Sequence, residues 1–222
     1  MKQKRIPTFI LFPLITAAAM VLIHLASTAA GTSAADLGIY PRTIEGLRGI
    51  LFSPFIHGST EHLLSNMAAL PVLLCLLTML NPTRYIKIFS VLYIATGLMV
   101  WIAARPSYHI GASGIIYATA SYIFFEGIVS GQKGSSAASA IIVLLYGGMM
   151  WGVLPVDNHV SWESHLAGGA TGFVCAFIFC HRSTETVWQN GDYRAPQFTS
   201  GYYITNNRYS SVSYHYKSGN TN

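Results

Sequence analysis

Residues 62–80 read HLLSNMAALPVLLCLLTML, and the reading of this stretch decides the fold. His62, Ser65 and Asn66 open it, Thr78 stands near its end, and the remainder is apolar. As an α-helix it would run about 28 Å, close to the ~30 Å hydrocarbon core of a bilayer. Five further apolar stretches lie around it, at residues 8–26, 86–104, 114–128, 137–155 and 166–180. The whole chain of 222 residues is 52% hydrophobic and 9% charged, where soluble domains carry about 25% charged. Mean hydropathy is +0.43. These values predict an all-α, polytopic membrane protein whose six-helix membrane domain occupies residues 1–182. Residues 183–222 are rich in Tyr, Ser, Asn and Gly and predict a flexible cytoplasmic tail without a core.

The net charge of +5 does not point to nucleic acid, because the 13 Lys and Arg are dispersed among apolar segments. They carry topology instead. With the N-terminus inside, the cytoplasmic segments hold Lys2, Lys4, Arg5, Arg84, Lys87, Lys133 and Arg182, and the external ones only Arg42, Arg48 and Arg105. Both termini are therefore expected in the cytoplasm of a multi-pass protein of the cell membrane. The basic lead-in of the first span resembles a signal peptide, but its apolar run is longer than such segments need, and a retained helix is expected. Residues 31–61 form a long external loop in which Ile44, Leu47, Ile50, Leu51 and Phe55 alternate with polar residues, a pattern suited to an interfacial element. Cys75, Cys175 and Cys180 all lie in apolar runs and form no metal-binding spacing.

A polar group inside a membrane span costs several kcal/mol unless it is satisfied, which makes it a functional candidate. Here such groups collect at one depth. The second, fourth and sixth spans all run inward, and at their external starts stand His62 and Asn66, then Gly111-Ala112-Ser113-Gly114, then His165. On the sixth span Gly168 and Gly172 form a GxxxG pair, and on the fourth Gly114 and Ala118 form a small-xxx-small pair. Small residues at that spacing let helices approach closely, which would set His165 beside Ser113 as base beside nucleophile. Tyr117 lies one turn below Ser113 on the same face and could pack on the imidazole. Singly, each feature has a plainer structural reading: a capped helix start, a packing motif, an interfacial histidine. Their coincidence at one depth on three spans of the same direction is what those readings leave unexplained.

In order and spacing these residues resemble the rhomboid intramembrane serine proteases. The match consists of His62-x-x-x-Asn66, Gly111-x-Ser113-Gly114 with Tyr117 following, and His165-x-x-Gly168-x-x-x-Gly172, and the likeness covers roughly residues 8–182. Departing from the family, no Trp-Arg pair stands in the first external loop, where Tyr40-Pro41-Arg42 is the nearest element. The resemblance implies a six-transmembrane-helix bundle with an active site towards the external side. Ser113 would be nucleophile and His165 general base, with Tyr117 orienting the imidazole. The oxyanion would be met by the Ser113 N–H and by His62 and Asn66, with Gly111 giving the backbone room to turn. Partners would be the lipid bilayer and transmembrane protein substrates, and no cofactor or metal is implied.

Three other classes compete. A transporter would be expected to show internal repeats or paired broken helices, and neither is visible. A non-catalytic rhomboid-like protein that binds membrane helices would have lost Ser or His, whereas both are present. A metalloprotease could recruit His57, His62 and His165, yet HExxH is absent.

Overall fold

The computed structural model of the protein describes residues 8–155 and 160–180. The basic residues Lys2, Lys4, Arg5 and Arg182 and the polar tail 183–222 lie outside the described residues. The described fold is helical: α1 (Thr8–Ala29), the one-turn α2 (Gly49–Phe52), α3 (Thr60–Leu80), α4 (Tyr85–Ala103), α5 (Ser113–Ser130), α6 (Lys133–Tyr146) and α7 (Trp162–Phe179). An isolated antiparallel bridge between Ile39 and His109 is the nearest approach to a sheet among the described residues.

The six apolar stretches coincide with α1 and α3 to α7. By length and composition three helices suffice to cross a membrane: Phe9–Ala29, Thr60–Leu80 and Tyr85–Ala103. The fifth stretch departs most from expectation. Its helix begins earlier, at Lys133, and ends at Tyr146, after which Gly147–Val153 continues as 3-10 helix. The pair Gly147-Gly148 explains the change, since glycine weakens an α-helix interior by about 1 kcal/mol per residue. α6 alone is about 21 Å long, and the 3-10 segment adds about 14 Å because its rise per residue is larger.

α5 is the centre of the bundle and packs on α7, α6, α3 and α4, most extensively on α7. Its Ala118, Thr119, Tyr122 and Ile123 are fully buried. The seam with α7 has almost no side chains in it. A Cβ added to Gly168 would overlap the Gly114 carbonyl, and one added to Gly172 would overlap the Ala118 carbonyl. Higher up, a Cβ on Gly114 would stand 3.3 Å from the Ser164 carbonyl oxygen. On its other side α5 meets α6 through Gly127, where an added Cβ would overlap Ser139 Oγ and the Ser135 carbonyl.

Polar side chains inside the bundle bond across these seams. Ser121 Oγ donates to the Gly169 carbonyl at 2.8 Å, Ser139 Oγ to the Phe124 carbonyl at 2.7 Å, and Asn81 Nδ2 to Glu126 Oε2 at 3.3 Å. The segment between α1 and α3 is anchored, with Ile50 packed on Gly97 of α4 and Arg42 Nη1 donating to the Ala104 carbonyl at 2.8 Å. Ile44, Leu51 and Phe52 stay exposed, the outward apolar edge expected of an interfacial element.

The seam yields a first prediction. Gly168→Val would thrust two methyl groups at the α5 backbone, which has no flexible side chain to move aside. We expect a loss of about 1–3 kcal/mol, the usual cost of overpacking, seen as a lower melting temperature in detergent, with Gly168→Ala intermediate. An unchanged melting temperature for the valine variant would mean that the two helices separate without penalty.

Candidate active site

Ser113 is the first residue of α5, and Ala112, not Ser113, occupies the N-cap position. The backbone before it turns at Gly111, whose φ of +99° disfavours any side chain. Gly111 is also where α3 comes closest, since a Cβ there would lie 2.5 Å from His62 Nε2. Glycine is thus required twice at one position, for the turn and for the imidazole. His62 is placed by the start of α3, where Ser59 caps the helix by accepting the His62 N–H at 3.1 Å. Asn66 follows one turn on, is 3% exposed, and donates from Nδ2 to the His62 carbonyl at 2.8 Å. That leaves the second amide hydrogen of Asn66 for another acceptor.

His165 sits in the first turn of α7 and is 7% exposed. Tyr117 of α5 stacks on it with ring centroids 4.2 Å apart and planes 8° from parallel. The Tyr117 hydroxyl donates to the Met149 carbonyl at 2.6 Å. His165 Nδ1 lies 2.7 Å from the Gly152 carbonyl oxygen. A carbonyl only accepts, so Nδ1 carries the proton and neutral His165 keeps its lone pair on Nε2. Glu163 is not hydrogen-bonded to His165; its Oε1 pairs with Arg105 at 3.4 Å.

Ser113, His165, His62 and Asn66 line one cavity of about 520 Å³, together with Ser65, Arg105 and the residues around them. The structure therefore brings together four residues from three helix starts. It forms no hydrogen bond between Ser113 Oγ and His165 Nε2 among the described residues. Catalytic hydrogen bonds are often long before substrate binds and shorten in the complex. Gly114, Gly168 and Gly172 lie in the seam beneath the cavity.

Two features of the site have no counterpart in the sequence reading. One is the Gly152 carbonyl, which no residue type announces. The other is a latch between the loops that lead into α5 and α7. His109 Nε2 lies 3.1 Å from the Arg105 carbonyl, His109 Nδ1 lies 2.5 Å from Ser161 Oγ, and Ser161 Oγ lies 2.6 Å from Ser164 Oγ. With Nε2 donating to a carbonyl, neutral His109 accepts from Ser161, which in turn accepts from Ser164. His109 is also bonded through its backbone to Ile39. Burial holds its pKa below the ordinary value, opposed by its bond to the Arg105 carbonyl and by Glu163. The spacing of His109 to Ser113 is the one signal that could have drawn attention to it.

Residues 45–182 match the model of the Rhomboid domain. An uncharacterized protein of Mycobacterium tuberculosis is 29% identical over 170 residues, covering 72% of this chain and 71% of that protein, and one of Mycobacterium bovis matches equally. An uncharacterized protein of Mycobacterium leprae is 29% identical over 178 residues, covering 76% of this chain and 70% of its own.

Beside His62, His57 predicts a pH dependence of the fold's stability. It is buried, both ring nitrogens lack a hydrogen-bond partner, and its ring meets His62 edge-on at 5.0 Å. Burial, and after it the neighbouring His62, lowers its pKa from 6.5 to about 4. Because the folded state takes up the proton less readily than the unfolded chain, the stability contributed by His57 is present above pH 6.5 and is lost as pH falls towards 4. We expect a loss on the order of 2 kcal/mol across that window, measured as a falling melting temperature, with a flatter profile for His57→Phe. An identical profile for that variant would show that His57 charges without cost.

Proposed function

We propose that this chain, which belongs to the rhomboid family, is an intramembrane serine endopeptidase that cleaves peptide bonds in or near the transmembrane helices of other membrane proteins. In this reading all six long helices cross the bilayer of the cell membrane, both termini are cytoplasmic, and the cavity opens to the external side. The observation that carries the proposal is the convergence of Ser113, His165, His62 and Asn66 on one cavity, with the His165 proton held on Nδ1.

The chemistry then follows from the groups present. His165 Nε2 takes the proton of Ser113 Oγ as that oxygen attacks the scissile carbonyl carbon. Charge develops on the carbonyl oxygen, where the Ser113 N–H, the His62 ring and the free Asn66 amide hydrogen stabilise it. The intermediate collapses as the C–N bond breaks and His165 returns its proton to the leaving amine. Water then attacks the acyl-enzyme with His165 again as base, releasing the acid and restoring Ser113. A substrate helix must unwind locally to be cut, because a carbonyl locked in helical hydrogen bonds is not available to a nucleophile. Water at membrane depth is tolerated where polar groups line a cavity, which is the character of this one.

A non-catalytic helix-binding protein of the same fold is the second reading. It is disfavoured because Ser113 and His165, the groups such a protein has no need to keep, are both present and both face the cavity.

The test is cleavage. Ser113→Ala and His165→Ala should each abolish proteolysis of transmembrane substrates in native membranes while leaving a folded protein, and the double variant should match either single one. Quantitative proteomics of released fragments reads the result, and continued cleavage by Ser113→Ala would end the assignment. Asn66→Ala should behave differently, slowing cleavage by about 10²–10³ without abolishing it, the usual effect of losing one oxyanion donor. A loss as complete as that of Ser113→Ala would give Asn66 another role.

A further inference from the structure

The segment Gly147–Val153 holds both sides of the catalytic imidazole by its backbone. The Met149 carbonyl accepts from Tyr117, whose ring covers one face of His165, and the Gly152 carbonyl accepts from His165 Nδ1. We infer that Gly152 is a positioning residue whose main-chain carbonyl takes the place a carboxylate holds in a serine-protease triad, fixing the tautomer of His165 and steadying the imidazolium that forms during catalysis. The inference deepens the serine-protease reading and rests on it.

Four observations support this. The bond length of 2.7 Å is that of a direct hydrogen bond. Among the described residues no carboxylate is hydrogen-bonded to His165, and Glu163, two residues before it, pairs through Oε1 with Arg105. The carbonyl belongs to the last turn of a helix, where the final C=O groups have no partner within the helix and carry its partial negative charge. That is a suitable neighbour for a ring that becomes cationic. Finally, position 152 has no space for a side chain, because a Cβ there would overlap the Tyr117 hydroxyl and stand 3.2 Å from His165 Nδ1. Glycine allows the two rings and the carbonyl to meet.

Physically, a neutral imidazole can place its proton on either nitrogen, and only the Nδ1–H form offers a basic Nε2 to Ser113. A carboxylate would enforce that tautomer at the expense of burying a charge within the bundle. A carbonyl enforces it with a neutral dipole already desolvated by the fold. Holding the wrong tautomer in a triad costs about 10⁴ in rate, so a weaker neutral acceptor should still be worth a factor of roughly 10²–10³.

The experiment uses the full chain in detergent micelles, labelled with 15N on histidine, with His165→Gln to assign the His165 signals. In the wild type at neutral pH, Nδ1 should be protonated and Nε2 bare. In Gly152→Ala the added methyl pushes against Tyr117, the Nδ1–H signal should move towards a mixture of tautomers, and Ser113 should react with a fluorophosphonate roughly 10²–10³ times more slowly. Adding Tyr117→Phe removes the hydroxyl that the methyl strikes, so the double variant should recover part of the loss relative to Tyr117→Phe alone. Should Gly152→Ala not fold, the peptide bond between Gly152 and Val153 can be replaced by an ester, which weakens the same carbonyl as an acceptor and adds no atom. The same tautomer shift and slower labelling are required of it.

The inference is overturned if folded Gly152→Ala or the ester labels as fast as wild type, or if either keeps the wild-type tautomer. It is overturned as well if the wild type already holds its proton on Nε2. A wild type that never reacts with the fluorophosphonate would defeat the serine-protease reading, while the tautomer measurement would still decide what the carbonyl does.

Discussion

The close approach of α5 and α7 is the constraint on which the rest of the structure depends. Gly168 and Gly172 rest on the carbonyls of Gly114 and Ala118 with no room for a methyl group. In a bilayer there is no hydrophobic gain in pairing two apolar helices, so contact must come from van der Waals packing and interhelical hydrogen bonds, both of which need proximity. The Ser121 hydroxyl reaching the Gly169 carbonyl is such a bond. Ser113 stands one residue before Gly114, and His165 one turn before Gly168. The seam therefore determines the relation of the two polar helix starts before any side chain chooses a rotamer.

Once the starts of α5 and α7 are neighbours, the polar groups there need satisfaction, and the structure supplies it mainly from backbone. His165 finds the Gly152 carbonyl, Tyr117 the Met149 carbonyl, Asn66 the His62 carbonyl and His109 the Arg105 carbonyl. Gly152 lies near the end of the 3-10 segment and Met149 within it, His62 one turn before Asn66 in α3, and Arg105 in the loop after α4. The pattern suits a site at membrane depth, because neutral acceptors stabilise polar hydrogens without the desolvation cost that ionised partners carry. The ion pair of Arg105 with Glu163 beside the cavity is partly exposed on the arginine side.

This division explains what could be read from the sequence and what could not. Ser113, His165, His62 and Asn66, which line one cavity, are legible because a polar residue at the start of an apolar run is conspicuous. The small-residue pairs were legible because their spacing is that of a helix face. Membership of the family follows from the domain match over residues 45–182. The Gly152 carbonyl was not legible, since every residue has a carbonyl and its use depends on where α6 turns into 3-10 helix. His109 was overlooked because a histidine in a loop between spans is ordinary until the loop before α7 is seen to fold against it.

The 3-10 segment links the surroundings of His165 to the outer surface of the bundle. α6 ends as α-helix at Tyr146, and the glycine-rich turn that follows carries Trp151 and Leu144 lies just before it, both strongly exposed on the outer surface. Trp151 therefore faces the surroundings from the same short stretch whose Gly152 carbonyl meets the imidazole and whose Met149 carbonyl meets Tyr117. Hydrogen bonds in 3-10 geometry are poorer than in α-helix, so such segments yield first under strain. The orientation of the His165 ring is thus tied, through the Gly152 and Met149 carbonyls, to the shape of one helix end.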